Sequence, residues 1–118
     1  MITARKKMEY PEDIFQKACV KWYNLAYPKH KKLLCYNYNN SKSELEGKRN
    51  KAKGLQAGRS DLVLYYKGKA TMIELKTKTG SQKEAQKEWQ SAIEAQGFEY
   101  KIVRNFNEFM FLINYLMK

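Results

Sequence analysis

Asp61, Glu74 and Lys76 are the residues whose types and spacing could support catalysis in this sequence. Two adjacent carboxylates repel each other when both are ionised, and a divalent cation relieves that repulsion. Hard oxygen ligands suit magnesium or manganese, and such an ion can polarise a phosphate oxygen and activate a bound water. Lys76 could position that water or stabilise negative charge growing on the phosphate. The alternative is an ion pair at the edge of a sheet, which contributes little energy.

A predicted β-hairpin brings these residues together. Two runs of β-branched, aromatic and aliphatic residues, Leu62 to Tyr66 and Ala70 to Leu75, flank the pair Lys67-Gly68, which is a hairpin signal. If those two residues form the loop, Asp61 lies directly opposite Glu74 on the neighbouring strand. Side chains alternate along a strand, so Lys76 shares the sheet face of Glu74.

The remaining pattern predicts an α/β fold with a small mixed sheet and flanking helices. A helix from about residue 81 to Gln96 begins at a capping box of Ser81 with Glu84, and Gly97 follows it. A similar pair, Ser43 with Glu46, marks an optional short helix before the hairpin. The other predicted elements are helices at about 11–27 and 107–117 and strands at 33–38 and 98–104, the first strand being broken by Asn39, Asn40 and Ser41.

Length and composition predict one folded domain, residues 1–118, with a real hydrophobic core. The chain has no run of 18 apolar residues, and residues 1–7 lack the apolar centre of a signal peptide. Cys19 and Cys35 form no CxxC pair, so free thiols in a reducing cytosol are expected. We expect a cytoplasmic protein, in a bacterial or phage-infected host cell. His30 is the single histidine, so the sequence offers few ligands for a zinc site and little support for histidine-based catalysis.

The formal net charge of +11 predicts a polyanionic partner. Nucleic acid is the first candidate and an anionic membrane surface is the second. Membrane binding favours a basic amphipathic helix with a strong apolar face, whereas the basic residues here are spread over predicted loops. Nucleic acid is therefore the favoured partner.

A basic segment precedes the hairpin. The stretch from Glu46 to Lys53 is either a solvated loop or a segment that follows the phosphates of nucleic acid, since backbone contacts need cations rather than base-specific groups. Both interpretations remain open. The second is favoured by Arg59, a further cation that approaches the hairpin site. Gly54 and Gly58 allow a tight turn and a close approach of the backbone to a ligand. The cations of this segment are Lys48, Arg49, Lys51 and Lys53.

The last helix is apolar on more than one side. Phe109, Leu112, Ile113 and Leu116 lie on one side at helical spacing, and its other faces are also apolar. A terminal helix that is apolar nearly all round usually has more than one packing partner. We expect the core on one side and a subunit interface on the other. The residues of those other faces are Met110, Phe111, Tyr115 and Met117.

Four motifs of the sequence can be compared with known families. They are Glu12-x-x-x-Gln16, Gly54 with Gly58-Arg59-Ser60-Asp61, Ile73-Glu74-Leu75-Lys76, and Gln86-x-x-Trp89. Together they resemble the PD-(D/E)XK nuclease superfamily and, within it, a stand-alone VRR-NUC domain. The resemblance covers about residues 11–104. Ser60 stands where the family usually has proline, which leaves that turn less rigid but removes no ligand.

The resemblance implies a metal site in a restriction-endonuclease-like αβββαβ core that carries an added C-terminal helix. Asp61 and Glu74 are implied to bind Mg²⁺ or Mn²⁺, with the carbonyl of Leu75 as a third ligand. Glu12 is implied to reach the metal region from the first helix through a water. By its position alone, Glu12 can instead be an acid that stabilises the start of a helix.

The resemblance also implies the roles of two further residues and the activity. Lys76 is implied to orient or activate the attacking water, and Gln86 to support the site or contact DNA. The activity implied by the resemblance to stand-alone members is that of a homodimeric, structure-selective DNA endonuclease. Enzymes of this kind include those that resolve four-way (Holliday) junctions.

Two other functions stay open. One is a nuclease of the same fold that acts on general duplex DNA, as restriction enzymes do. The other is a non-catalytic nucleic-acid-binding module, in which Asp61, Glu74 and Lys76 form a structural ion network. Chelation of divalent metal separates these classes, because a nuclease should stop cutting in EDTA while a binder should be indifferent to it.

Overall fold

The structure is a computed structural model that describes residues 11–38 and 42–118. The predicted break of the first strand at residues 39–41 lies outside these ranges, as do residues 1–7, on which the signal-peptide expectation depends. The described elements are α1 (Pro11–Ala26), a 3₁₀ helix (Pro28–Leu33), β1 (Leu34–Tyr36), α2 (Glu44–Ala52), β2 (Leu62–Tyr66), β3 (Lys69–Leu75), α3 (Glu84–Ala95), β4 (Glu99–Val103) and α4 (Phe106–Leu116).

The four strands form one mixed sheet in the order β1-β2-β3-β4. β2 pairs antiparallel with both β1 and β3. β4 is parallel to β3, because the crossover helix α3 returns the chain to the same end of the sheet. The predicted mixed α/β fold is confirmed.

The predicted register of the β2–β3 hairpin is confirmed. Tyr66 pairs with Lys69, and the ladder runs to the pair of Leu62 with Ile73. The two loop residues, Lys67 and Gly68, both have positive φ angles, 50° and 76°. Two such residues are what a type I′ turn requires, and this turn follows the twist of the strands and thereby fixes their register.

The two faces of the sheet are covered by different helices. The larger core lies beneath α1 and α4, which contribute Tyr23, Phe109 and other buried side chains against Leu62, Ile73 and Leu75. A smaller cluster on the opposite face holds Val63, Met72 and Tyr100, with Trp89 and Ile93 of α3 packed against it. Because side chains alternate along β3, Glu74 lies on the face covered by α3.

Two local predictions differ from the structure. The 3₁₀ helix extends to Leu33, so β1 is shorter than the strand predicted at 33–38. The predicted capping box of Ser81 with Glu84 is wrong, because the N-cap residue of α3 is Lys83. The optional short helix is confirmed as α2, with Ser43 as its N-cap residue, and it carries Lys48, Arg49 and Lys51.

Both cysteines are free thiols. Cys19 is buried in the larger core, and burial raises the pKa of its thiol to about 12. Across the described ranges, no helix combines the length and apolar character that crossing a membrane demands.

Candidate active site

A polar cavity of about 440 Å³ opens where α1, the end of β1, the turn before β2, the end of β3 and the start of α3 meet. Each of these elements contributes through its end, where side chains and backbone groups remain free of the sheet ladder. The structure therefore collects most of the predicted site in one place. The predicted residues that line the cavity are Glu12, Arg59, Asp61, Leu75, Lys76 and Gln86.

Asp61 is fixed by the backbone of the neighbouring strand. It lies one residue beyond the last paired position of the hairpin, and its Oδ2 accepts a hydrogen bond from the backbone N–H of Leu75 at 2.6 Å. Burial is the largest influence on this carboxyl group and raises its pKa to about 6, although the Leu75 hydrogen bond lowers it. Glu12 and Glu74 raise the pKa further and Lys76 lowers it. This is the environment of a carboxylate that a cation would stabilise.

Glu74 is buried, with 1% of its surface exposed, and does not itself line the cavity. Its Oε1 accepts a hydrogen bond from the hydroxyl of Tyr100 at 2.7 Å, while its Oε2 is buried without a hydrogen-bond partner in the described residues. A buried carboxylate oxygen without a partner is costly, and such atoms are rare unless they serve an ion or a water. The donor set of Asp61 and Glu74 therefore fits a hard divalent cation.

These two carboxylates form a small donor set. Within residues 11–38 and 42–118, no three side chains of His, Cys, Asp or Glu lie close enough together to hold an ion by themselves. The direct ligand roles of Asp61, Glu74 and the Leu75 carbonyl, and the role of Glu12 through a water, stay predictions.

Lys76 is a buried lysine held by α3. Its Nζ donates a hydrogen bond to Oε1 of Gln86 at 3.1 Å, and the same oxygen accepts the backbone N–H of Lys83 at 2.8 Å. The second bond satisfies one of the free N–H groups at the start of the helix. Gln86 thus couples the position of the ammonium group to the N-terminus of α3, and its role in supporting the site stays a prediction.

Gly58 lets the turn before β2 contact α3 directly. Its φ angle is +80°, and a Cβ atom there would lie 2.1 Å from the carbonyl oxygen of Ala85 and 2.7 Å from the backbone nitrogen of Gln86. No side chain fits at that distance. Glycine therefore sets the spacing between Asp61, which follows in this turn, and the helix that holds Lys76.

A model of the VRR-NUC domain matches residues 10–106 of the sequence. The chain belongs to the VRR-NUC domain family. Membership indicates a nuclease of the PD-(D/E)XK type, which is a hydrolase and implies DNA as its partner. A solved structure named "VRR_NUC domain protein" is 18% identical, with a TM-score of 0.73 over 92% of this chain and 89% of that chain, which shows a shared fold. No curated protein matches the sequence.

Substitution of Gly58 by alanine should destabilise this VRR-NUC domain more than the same change at Gly54. Both residues have positive φ, which costs an L-residue about 1–2 kcal/mol, but a Cβ at Gly54 meets nothing within 4 Å. The clash at Gly58 should add about 1–3 kcal/mol to the loss in free energy of unfolding. Urea denaturation of both variants measures the difference. Equal losses would show that Ala85 does not restrict this position.

The predicted DNA-binding cations of the VRR-NUC domain do not all lie at the cavity. Lys48, Arg49 and Lys51 are exposed on α2 and do not line it. Lys53 and Arg59 line an adjoining cavity of about 420 Å³, and Arg59 lines both cavities. Of the predicted DNA-binding cations, Arg59 is therefore the one that shares a cavity with Asp61.

Three residues of the site were missed by sequence reasoning. Tyr100 holds Glu74, and alternation along β4 alone could not place it, because the parallel register with β3 is not readable from the sequence. Oδ1 of Asn37 accepts a hydrogen bond from Nη2 of Arg59 at 2.7 Å. Arg104 donates through Nη1 to the carbonyls of Thr77 and Gly80 and so holds the loop after Lys76.

Ser60, which stands in place of the family's usual proline, has its own stabilising contacts. Its side chain is buried, and its hydroxyl donates to the carbonyl of Leu62 at 3.1 Å. Its carbonyl accepts from Nδ2 of Asn37 at 3.0 Å. These hydrogen bonds hold the turn that proline would restrain through its ring.

Proposed function

We propose that this protein is a divalent-metal-dependent DNA endonuclease that hydrolyses phosphodiester bonds. The observation that carries this proposal is the buried Oε2 of Glu74, which has no hydrogen-bond partner among the described residues. It acts together with Asp61, because burial raises the pKa of the Asp61 carboxyl group and Glu74 raises it further. Two carboxylates in this state are stabilised by a hard cation. Family membership, which indicates a nuclease, supports the same conclusion.

The proposed mechanism assigns one task to each group. Asp61, Glu74 and the carbonyl of Leu75 would hold Mg²⁺ or Mn²⁺, with Glu12 acting through a water. The bound ion supplies Lewis acidity toward the phosphate and lowers the pKa of a water. Lys76, fixed by Gln86, orients the attacking water or stabilises the charge that grows on the phosphate.

The DNA-binding surface of the proposed enzyme combines one cation at the cavity with a group of cations beside it. Arg59 lines the same cavity as Asp61 and is held by Asn37, so it can contact a phosphate next to the cleaved bond. The exposed cations of α2 and the segment after it, together with the net charge of +11, supply contacts farther along the backbone. These cations are Lys48, Arg49, Lys51 and Lys53.

We propose branched DNA, with four-way (Holliday) junctions as the leading case, as the preferred substrate, and this preference rests on the resemblance to stand-alone VRR-NUC domains. A homodimer with two sites could cut two strands of a symmetric junction. On α4, Phe109 and Ile113 are buried whereas Phe111 and Tyr115 are exposed, at 77% and 62%. This second apolar face supports a subunit interface through the C-terminal helix.

The experiment that tests the function is cleavage of a labelled four-way junction beside a linear duplex of the same arm sequence, each with magnesium, manganese or EDTA. Metal-dependent cutting that favours the junction would support the whole proposal. Equal cutting of both substrates would retain the nuclease and discard junction selectivity. Binding without cutting under either metal would favour the non-catalytic module and contradict the enzyme.

The proposed interface makes a separate prediction. Substitution of Phe111 by glutamate should convert the dimer to a monomer, because a charge buried without a partner in an apolar interface is costly. Light scattering at micromolar concentration measures the mass of the wild type and the variant. Substitution of Tyr65, an exposed aromatic residue of β2, by glutamate is the matched control and should leave the dimer intact. A monomeric wild-type protein would contradict the proposal.

A further inference from the structure

Two exposed tyrosines at the end of the edge strand β1 form an aromatic pair beside the active-site cavity. The exposed fractions of Tyr36 and Tyr38 are 53% and 49%. Their ring centroids lie 6.2 Å apart with an interplanar angle of 78°, an edge-to-face arrangement in which only one ring face is covered by the other ring. Neither residue belongs to the two hydrophobic clusters of the sheet, so packing of the core does not account for them.

The pair spans the boundary between the two cavities of the site. Tyr36 lines the cavity that contains Asp61, and Tyr38 lines the adjoining one with Lys53. Arg59 lines both, and its guanidinium is held by Asn37, the residue between the two tyrosines. A path therefore runs from the carboxylates past a fixed cation to an exposed aromatic ring.

We propose that the Tyr36–Tyr38 pair is a stacking platform for unpaired bases of the DNA strand that leaves the active site, with Arg59 and Lys53 contacting its phosphates. The proposal rests on the proposed function for the identity of the ligand as DNA. Aromatic rings beside a cationic groove bind single strands because every base has a face that can stack. The bases inside a duplex are stacked on each other and offer no such face.

The charge of the surroundings favours this occupant over a protein segment. The cavity beside the platform is lined by the cations Arg59 and Lys53 and by one acid, Glu46, and α2 adds further exposed cations nearby in the sequence. A phosphate backbone complements these cations along its whole length. Among branched DNAs, the preferred substrates are then those that have an unpaired or splayed segment next to the cleaved bond.

The test compares binding to a splayed-arm DNA and to a blunt duplex of the same length, by fluorescence anisotropy in EDTA so that no cleavage occurs. Wild type should bind the splayed-arm DNA more tightly. Tyr38→Ala should weaken that binding about tenfold, a typical loss for removal of one stacking ring, and should leave duplex binding unchanged. Tyr38→Phe keeps the ring and should bind like wild type. Tyr65→Ala removes a tyrosine of equal exposure, 49%, on β2 and should have no effect.

The proposal is overturned if wild type does not prefer the splayed-arm DNA, if Tyr38→Ala binds it as wild type does, or if that variant loses affinity for both DNAs equally. Cleavage with magnesium, measured on the same proteins, separates this result from the proposed function. A protein that shows the Tyr38-dependent preference but never cuts would keep the platform and contradict the nuclease. If the wild-type protein cuts DNA but the Tyr38→Ala variant binds splayed-arm DNA as wild type does, the nuclease is kept and the platform is contradicted.

Discussion

Replacement of Lys76 by alanine should lower the rate of DNA cleavage at least about a hundredfold while DNA affinity stays within about threefold, since a group that acts on the reacting atoms contributes to the transition state rather than to binding. The ammonium group is buried at the cavity and is held in position by its hydrogen bond to Gln86. Single-turnover cleavage in magnesium measures the rate, and anisotropy in EDTA measures the affinity.

Two further variants show whether the effect belongs to the ammonium group at this position. Lys78→Ala removes an exposed lysine two residues along the chain and should cleave like wild type. Gln86→Ala keeps the ammonium but removes its partner and should give an intermediate loss, about tenfold, as expected for a misplaced catalytic group. Wild-type cleavage by Lys76→Ala would remove Lys76 from the mechanism.

The hairpin and its carboxylates were predictable because local chemistry determines them. A two-residue turn with positive φ angles at Lys67 and Gly68 permits one register, and that register decides which residue lies near Asp61. Alternation along β3 then places Glu74 and Lys76 on the same face of the sheet. None of these steps requires knowledge of residues that are distant in the sequence.

The parts that were not predictable depend on distant residues. The start of α3 was placed at Ser81 from a short motif, but Arg104 holds the carbonyls of Thr77 and Gly80, and the helix begins later. Gln86 consequently caps the helix and reaches Lys76, a pairing that no local pattern indicates. The partner of Glu74, Tyr100, depends in the same way on the parallel pairing of β3 with β4.

Replacement of Asp61 by asparagine should abolish both metal-dependent stabilisation and cleavage. At a magnesium concentration ten times its Kd, wild type should gain about 1.4 kcal/mol in free energy of unfolding, because the ion binds only the folded state. Asparagine can still accept the N–H of Leu75, so the metal-free variant should fold normally. Without the charge, however, the gain from magnesium should vanish and the cleavage rate should fall at least about a hundredfold, as expected when the metal that activates water is lost.

Thermal and urea unfolding with magnesium or EDTA measure this gain, and two variants define its origin. Glu74→Gln should lose it as well, because the buried Oε2 is the second carboxylate atom available to the ion. Asp13→Asn changes an acid that lines the same cavity but lies outside the predicted ligand set, and it should keep the full gain. If Asp61→Asn is stabilised by magnesium as much as wild type, the ion binds elsewhere, and the two carboxylates are then better explained as a structural network. Loss of the gain in Asp13→Asn would instead enlarge the ligand set to include the start of α1.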